Sequence, residues 1–188
     1  MRLLVPVTIV VWVAVEATLL VRDAARGKGS TAKDRGTRSF LVVMCLFAFV
    51  AASAIAAWLR NDSQFRLGSG HLAIGVAFMW LGLALRVWAV VVLGSSFRTT
   101  VEVDAAQAVV DSGPYRWIRH PSYTGMLMIA AGYGVAIGNW LALTVLLVIP
   151  TAAVLRRIAV EEATLADVLG PPYVAYQHHT KRLLPGLY

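Results

Sequence analysis

The sequence predicts an all-α integral membrane protein with five transmembrane helices, the last two forming a tight hairpin, and C-terminal helices closing a pocket on the cytoplasmic side. Three observations predict it. Of the 188 residues, 59% are hydrophobic and only 14% charged, too few charges for an ordinary soluble domain of this length. The apolar residues gather into long runs that can cross a hydrocarbon core of roughly 30 Å. The basic residues behind the net charge of +7 sit at the ends of those runs. That distribution reads as topology signals and contacts to anionic lipid, and not as a nucleic-acid surface.

The first run covers residues 3–21. Met1-Arg2 before it resembles the start of a signal peptide. The run is long for such a segment and a basic loop follows it, so a retained span is expected. The second and third runs cover residues 40–59 and 71–93. The fourth and fifth, residues 123–137 and 140–155, are shorter and separated only by Gly138-Asn139, which is turn chemistry. Pro150 interrupts the fifth run and is expected to kink it, because proline removes one helix hydrogen bond.

Lysine and arginine alternate between rich and poor loops. Arg22, Arg26, Lys28, Lys33, Arg35 and Arg38 follow the first span, and Arg60 and Arg66 the second. Arg98, Arg116 and Arg119 follow the third, the hairpin tip has none, and Arg156, Arg157, Lys181 and Arg182 follow the fifth. Five spans with the N-terminus outside and the C-terminus in the cytoplasm fit this pattern. That topology brings residues 94–121 and 156–188 to one cytoplasmic face. The whole chain, 1–188, reads as one membrane domain whose first two spans, within 1–70, carry no motif.

Two charges fall inside spans, Glu16 and Arg86. Both lie nearer the cytoplasmic end, where Arg86 either snorkels to the interface or lines a cytoplasm-facing cavity with Glu16. Cys45 stands alone, which rules out a disulfide within the chain or a cysteine zinc site and leaves a small buried hydrophobe. His178-His179 has no third ligand at metal-site spacing and reads as a surface pair, so no metal is expected. P-loop, H-E-x-x-H and G-x-S-x-G motifs are absent, and Gly132-Tyr133-Gly134 is too short for a dinucleotide fold.

The first cytoplasmic segment includes "VVDSGPYRWIRHPSYTG". Residues 99–103 alternate and look extended, and Asp111-Ser112-Gly113-Pro114 is a turn. His120 before Pro121 is biased away from helix, whereas Pro121 suits a first helical turn. The fourth helix therefore starts near Pro121 with free N–H groups that favour an anion. The plainer alternative makes Arg116, Trp117 and Arg119 an interfacial belt on lipid phosphates. In the second segment, "RRIAVEEATLADVLGPPYVAY", Arg157 and Glu161 share a helix face, and Glu162 points about 100° away. The helix is expected to end at Gly170-Pro171-Pro172, with a short helix starting near Tyr173. Here the plainer alternative is a solvated helix leaving the membrane.

Together "LGSSF", "VVDSGPYRWIRHPSYTG", "RRIAVEEATLADVLGPPYVAY" and "LLPG" resemble the isoprenylcysteine carboxyl methyltransferase family, and the C-terminal half is similar to phospholipid N-methyltransferases. The resemblance covers residues 86–185, the expected catalytic half. It implies an S-adenosylmethionine-dependent methyltransferase that releases S-adenosylhomocysteine, with the cofactor in a cytoplasmic pocket closed by the C-terminal segment. It also implies a lipophilic acceptor, such as the carboxylate of a prenylated cysteine, arriving from the bilayer. By the same resemblance the "AQAVV" strand (Gln107, Ala108, Val109, Val110 within it), Tyr115, His120, Pro121, Ser122, Tyr123 and Glu161 line the cofactor. Glu102 falls near a further cofactor position. Gln107 stands where the family often has histidine, and Pro171-Pro172 replaces a more usual acidic pair.

The resemblance also implies that Arg157 stands on the substrate side and that Arg157 and Glu161 form the catalytic pair; Arg86, as an intramembrane charge, is a second substrate-side candidate. A carboxylate nucleophile needs orientation, which arginine gives by bidentate pairing. An amine nucleophile would instead need a base, for which Glu161 and Glu162 are candidates. The expected location is a bacterial or archaeal inner or plasma membrane. The other readings are a phospholipid N-methyltransferase, an NADPH-dependent membrane sterol or enone reductase, and a non-catalytic membrane subunit.

Overall fold

The computed structural model describes residues 3–25, 36–59, 70–94 and 108–186. Six α-helices are found there: α1 (Leu4–Ala25), α2 (Thr37–Trp58), α3 (Gly70–Leu93), α4 (Pro121–Ile137), α5 (Trp140–Leu169) and α6 (Pro171–His179). A 3-10 turn, Gly113–Arg116, precedes α4. Among the described residues, α1, α2, α3 and α5 are long and apolar enough to cross a membrane. Helix α4, the fourth expected span, has 17 residues.

The centre of the bundle is α3 against α4, and glycines bring the two together. Gly75 and Gly82 lie seven residues apart on α3, as Gly125 and Gly132 do on α4, a spacing that keeps small residues on one face of each helix. A Cβ added to Gly82 would lie 2.6 Å from Gly125 O, and one added to Gly132 would lie 2.7 Å from Gly75 O and Met79 N. No side chain fits such a gap, so the backbones touch. This contact carries Arg86 to the first turn of α4. Gly82→Ala is therefore expected to destabilise the protein by about 1–3 kcal/mol through overpacking. Thermal unfolding in detergent, followed by loss of the monodisperse peak, reads this out; an unchanged midpoint would refute the close-contact account.

Helix α5 packs on both α4 and α2, while α1 leans mainly on α3. Neighbours thus run α1–α3–α4–α5–α2, and the two outer helices face each other across a gap. The hairpin is built as its residues require. Gly138 ends α4 in the left-handed region at φ 74°, where only glycine sits without strain. The Asn139 side chain then caps α5 by accepting from Ala142 N at 3.0 Å, a favoured N-cap.

Helix α5 runs through Pro150 to Leu169 as one 30-residue helix and ends at Gly170, where the Gly170-Pro171-Pro172 stop predicts its end. One expectation is corrected here. The expected strand at "AQAVV" is not one where it is described, because residues 108–110 form irregular chain. Gln107, Glu102 and the segment 99–103 lie outside the described residues. Beyond α6 the chain turns back as a strap beneath the start of α4. Ile118 and Lys181 form a parallel bridge, Arg119 N donates to Lys181 O at 2.7 Å and His120 N to Arg182 O at 3.0 Å. Thr124 Oγ1 donates to Leu183 O at 2.8 Å.

Candidate functional site

The sequence places a carboxylate and a guanidinium one turn apart on α5, and the structure puts a phenol between them. Tyr123, in the first turn of α4, donates its hydroxyl to Glu161 Oε2 at 2.8 Å and accepts from Arg157 Nε at 3.2 Å. Arg157 is buried, and its Nη1 donates to Thr37 Oγ1 at 2.7 Å. The guanidinium is thereby aimed from two helices. Among the described residues Glu161 accepts one hydrogen bond, the one from Tyr123.

These groups line a cavity of about 520 Å³, within the usual range for a small-molecule site. Its polar end combines Tyr115, His120, Ser122 and Tyr123 with Arg157 and Glu161, and the irregular residues Ala108, Val109 and Val110 form one wall. Pro121 is buried at the start of α4 without lining the cavity. Tyr173 and Tyr176 of α6 also line the cavity. Burial is the first cause pushing the Tyr115 and Tyr173 hydroxyls well above the usual phenol range, and it pushes Tyr176 up to about 12. These phenols stay neutral and offer ring faces and hydrogen bonds.

The two intramembrane charges are partners. Arg86 Nη2 donates to Glu16 Oε2 at 2.7 Å, and Arg86 Nε donates to Glu16 Oε1. Arg86 Nη1 donates to Ser122 Oγ at 2.8 Å, so Arg86 is buried and spoken for, and it does not snorkel. Both charges line the same cavity, as expected of polar groups held inside a bundle.

Glu162 is the residue that sequence reasoning undervalued. Its side chain is only 6% exposed, so the solvated-helix reading fails for it. It accepts from Arg119 Nε at 2.8 Å and Arg182 Nε at 2.9 Å, with His120 Nε2 at 3.2 Å. The plainer alternative, an interfacial belt of Arg116, Trp117 and Arg119, fails for Arg119. Instead its side chain is 9% exposed, and it also donates to Gln177 O at 3.2 Å and to Thr180 O. Only Arg116 and Trp117 are exposed. The start of α4 is also less open than expected, since Tyr123 N and Thr124 N both turn to His120 O. The His120 ring lies against Tyr123, 5.8 Å between centroids. Glu162 therefore fixes His120, His120 abuts Tyr123, and Tyr123 ties Arg157 to Glu161. A second acid beside Glu161, with Arg119-His120 and a basic tail elsewhere, was the available signal. Among the described residues, no buried side-chain nitrogen or oxygen lacks a hydrogen bond, and no group of three His, Cys, Asp or Glu could hold a metal.

Away from this end the cavity is apolar. Leu41, Cys45 and Phe49 of α2 face Ile9 and Trp12 of α1. Nearer the rim, Val13, Val42 and Leu46 line the cavity while staying 54%, 47% and 62% exposed. The gap between α1 and α2 therefore opens sideways at the depth of the apolar runs.

Comparison with known proteins gives concordant results. The model of the isoprenylcysteine carboxyl methyltransferase (ICMT) family matches residues 74–167. A protein-S-isoprenylcysteine O-methyltransferase of Tribolium castaneum is 30% identical over 114 residues, 60% of this chain and 41% of that protein. The Xenopus laevis protein of the same name is 32% identical over 114 residues, 60% of this chain and 40% of its own. A solved structure of the eukaryotic intramembrane Ras methyltransferase ICMT, without a monobody, superposes with a TM-score of 0.60 at 25% identity, covering 79% of this chain and 52% of that one. The chain spans roughly 40–50% of the length of these relatives. They are eukaryotic and lend no support to a bacterial or archaeal origin.

Proposed function

Since the chain belongs to the isoprenylcysteine carboxyl methyltransferase family, we propose that it is a membrane methyltransferase using S-adenosylmethionine to esterify the carboxylate of an isoprenylated cysteine. The observation that carries this reading is the single cavity joining the Arg157–Tyr123–Glu161 group to an apolar lobe open between α1 and α2. A lipid-linked carboxylate needs both features in one space.

The residues present suit the cofactor's chemistry. Glu161, with one hydrogen bond among the described residues, would take the ammonium or a ribose hydroxyl. The ring faces of Tyr115 and Tyr123 would meet the adenine or the sulfonium, where cation–π attraction is available. His120 and Ser122, at the start of α4, would meet its carboxylate. Val109, Val110, Ala108, Gln107, Pro121 and Glu102 complete the proposed cofactor set. When bound, the cofactor supplies an electrophilic methyl group. The chain's own work is then to hold the acceptor oxygen in line and keep water out. Arg157 orients the acceptor carboxylate, and the Tyr123 hydroxyl fixes Arg157 and Glu161 relative to each other. No general base is required, because the acceptor is already an anion. Arg86, paired with Glu16 and bonded to Ser122, lines the wall that the acceptor passes as a neutralised ion pair.

Five spans, with α4 as the fourth and the C-terminus cytoplasmic, follow from the distribution of Lys and Arg. The polar end then faces the cytoplasm and the apolar lobe lies within the bilayer. The test is transfer of a labelled methyl group to an S-isoprenylcysteine in detergent or nanodiscs, beside thermal shift with S-adenosylhomocysteine and with NADPH. Transfer with a shift by the homocysteine alone is expected; a shift by NADPH alone overturns the reading. Glu161→Gln and His120→Ala are each expected to weaken S-adenosylhomocysteine binding roughly tenfold, the scale of a lost charged hydrogen bond. Unchanged calorimetric affinity in both removes them from the site.

A further inference from the structure

The apolar lobe has a floor, and the floor is a chain of aromatic contacts crossing the bundle. Trp12 of α1 and Phe49 of α2 meet with ring centroids 5.2 Å apart, and Phe49 stacks on Tyr133 of α4 at 5.1 Å. The two ends of this chain are tethered. Trp12 Nε1 donates to Glu16 Oε1 at 3.0 Å, and the Tyr133 hydroxyl shares a hydrogen bond of 2.8 Å with Ser53. Beneath the rings there is no space to yield into, because Trp12, Phe49 and Tyr133 pack on Met79, Leu83 and Ile129, of which Met79 and Ile129 have no exposed surface. At Trp12 and Phe49 α1 and α2 touch, and Ile9, one turn earlier on α1, packs on the same cluster and completes the bottom of the lobe.

We propose that the Trp12–Phe49 contact is a length ruler for the acceptor's hydrocarbon chain, a specificity element that rests on the isoprenylcysteine reading above. Its depth follows from the helices. Arg157 meets α2 at Thr37, and Phe49 lies twelve residues further along α2, about 18 Å at the α-helical rise. On α4 the step from Tyr123 to Tyr133 is ten residues, about 15 Å. An extended isoprene unit covers roughly 5 Å at ordinary carbon–carbon bond lengths. With the carboxylate at Arg157, the cysteine's own atoms through sulfur take about 5 Å at ordinary bond lengths, so the remaining roughly 10–13 Å holds about two to three units. A longer chain must fold at the floor and leave through the side gap. Both floor residues come from helices outside the stretch that matches the family model, residues 74–167, so this limit belongs to this chain and not to the shared half.

The test measures kcat/KM with N-acetyl-S-geranyl-, S-farnesyl- and S-geranylgeranyl-cysteine. The wild-type value is expected to fall at least about fivefold from farnesyl to geranylgeranyl, the scale on which an apolar pocket discriminates size. Phe49→Leu lowers the floor and raises the geranylgeranyl-to-farnesyl ratio. Cys45→Phe adds a ring one helical turn above the floor and shifts preference toward geranyl; it carries the test alone should Phe49→Leu not accumulate. Robust transfer with a flat length profile, or ratios unmoved by the variants, overturns the ruler and leaves the functional reading standing. Absence of transfer to all three acceptors, with label entering another lipid, overturns that reading and the ruler with it.

Discussion

Arg157→Ala is expected to lower kcat/KM for an isoprenylcysteine by roughly three orders of magnitude, with S-adenosylhomocysteine affinity changed by less than about threefold. The asymmetry follows from where the guanidinium points. Arg157 reaches Tyr123 on one side and Thr37 on the other, so it is held rigidly at the junction of the polar and apolar parts of the cavity. Its contribution is to fix an acceptor carboxylate, and preorganised charge of this kind acts on the transferring complex more than on cofactor binding. Truncation also removes the buried hydrogen bonds from Arg157 to Tyr123 and Thr37, costing about 1–3 kcal/mol, so stability is measured in parallel. Arg157→Lys keeps the charge and loses the fork, and falls between wild type and alanine. An alanine variant that binds the homocysteine poorly but turns over bound cofactor normally would move Arg157 from the acceptor side to the cofactor side.

The membrane helices were legible because hydropathy integrates over many residues. Helices α1, α2 and α3 begin and end within a few residues of their apolar runs. The start of α4 at Pro121 and the αL residue at Gly138 were legible for a local reason, since proline and glycine restrict or free the backbone where they stand. The end of α5 was legible for the same reason: nothing in residues 156–169 breaks a helix, Gly170-Pro171-Pro172 does, and the helix ends at Leu169, well beyond the apolar run.

The site was legible in its vocabulary and not in its pairing. Sequence spacing placed Arg157 and Glu161 on one face of α5, and the structure adds the Tyr123 hydroxyl between them. Glu16 and Arg86 stood out as costly charges, and that cost is what requires a partner. That each is the other's partner, across seventy residues, depends on α1 leaning on α3. The strap at residues 180–183 was legible only as a basic tail, because its contacts to residues 117–120 are backbone hydrogen bonds, which any side chain permits. Arg119 was left between two readings for a related reason. An arginine beside Trp117 looks interfacial by composition, and only the returning strap and α5 supply the carboxylate and carbonyls that draw it inward.

Glu162→Ala is expected to damage the fold more than Gly82→Ala, and more than Glu161→Ala. Three cationic or imidazole groups from two distant segments converge on the Glu162 carboxylate. Two of them, Arg119 and His120, have side chains less than 10% exposed. Removing one partner of a buried charge cluster leaves the others uncompensated, at a cost of about 3–5 kcal/mol. Glu161 accepts only the Tyr123 hydroxyl among the described residues, so its loss strands no cation of this kind. The damage should also have a location. Arg182 and Arg119 hold the strap, and the strap's carbonyls hold residues 119 and 120. Hydrogen exchange of the residue 119 and 120 amides should therefore rise in Glu162→Ala and stay near wild type in Glu161→Ala. Glu162→Gln keeps one acceptor oxygen and loses the charge, so it should lie between. Equal unfolding temperatures for the two alanine variants, with protection of those amides intact in both, would show that Glu162 does not organise this end of the cavity.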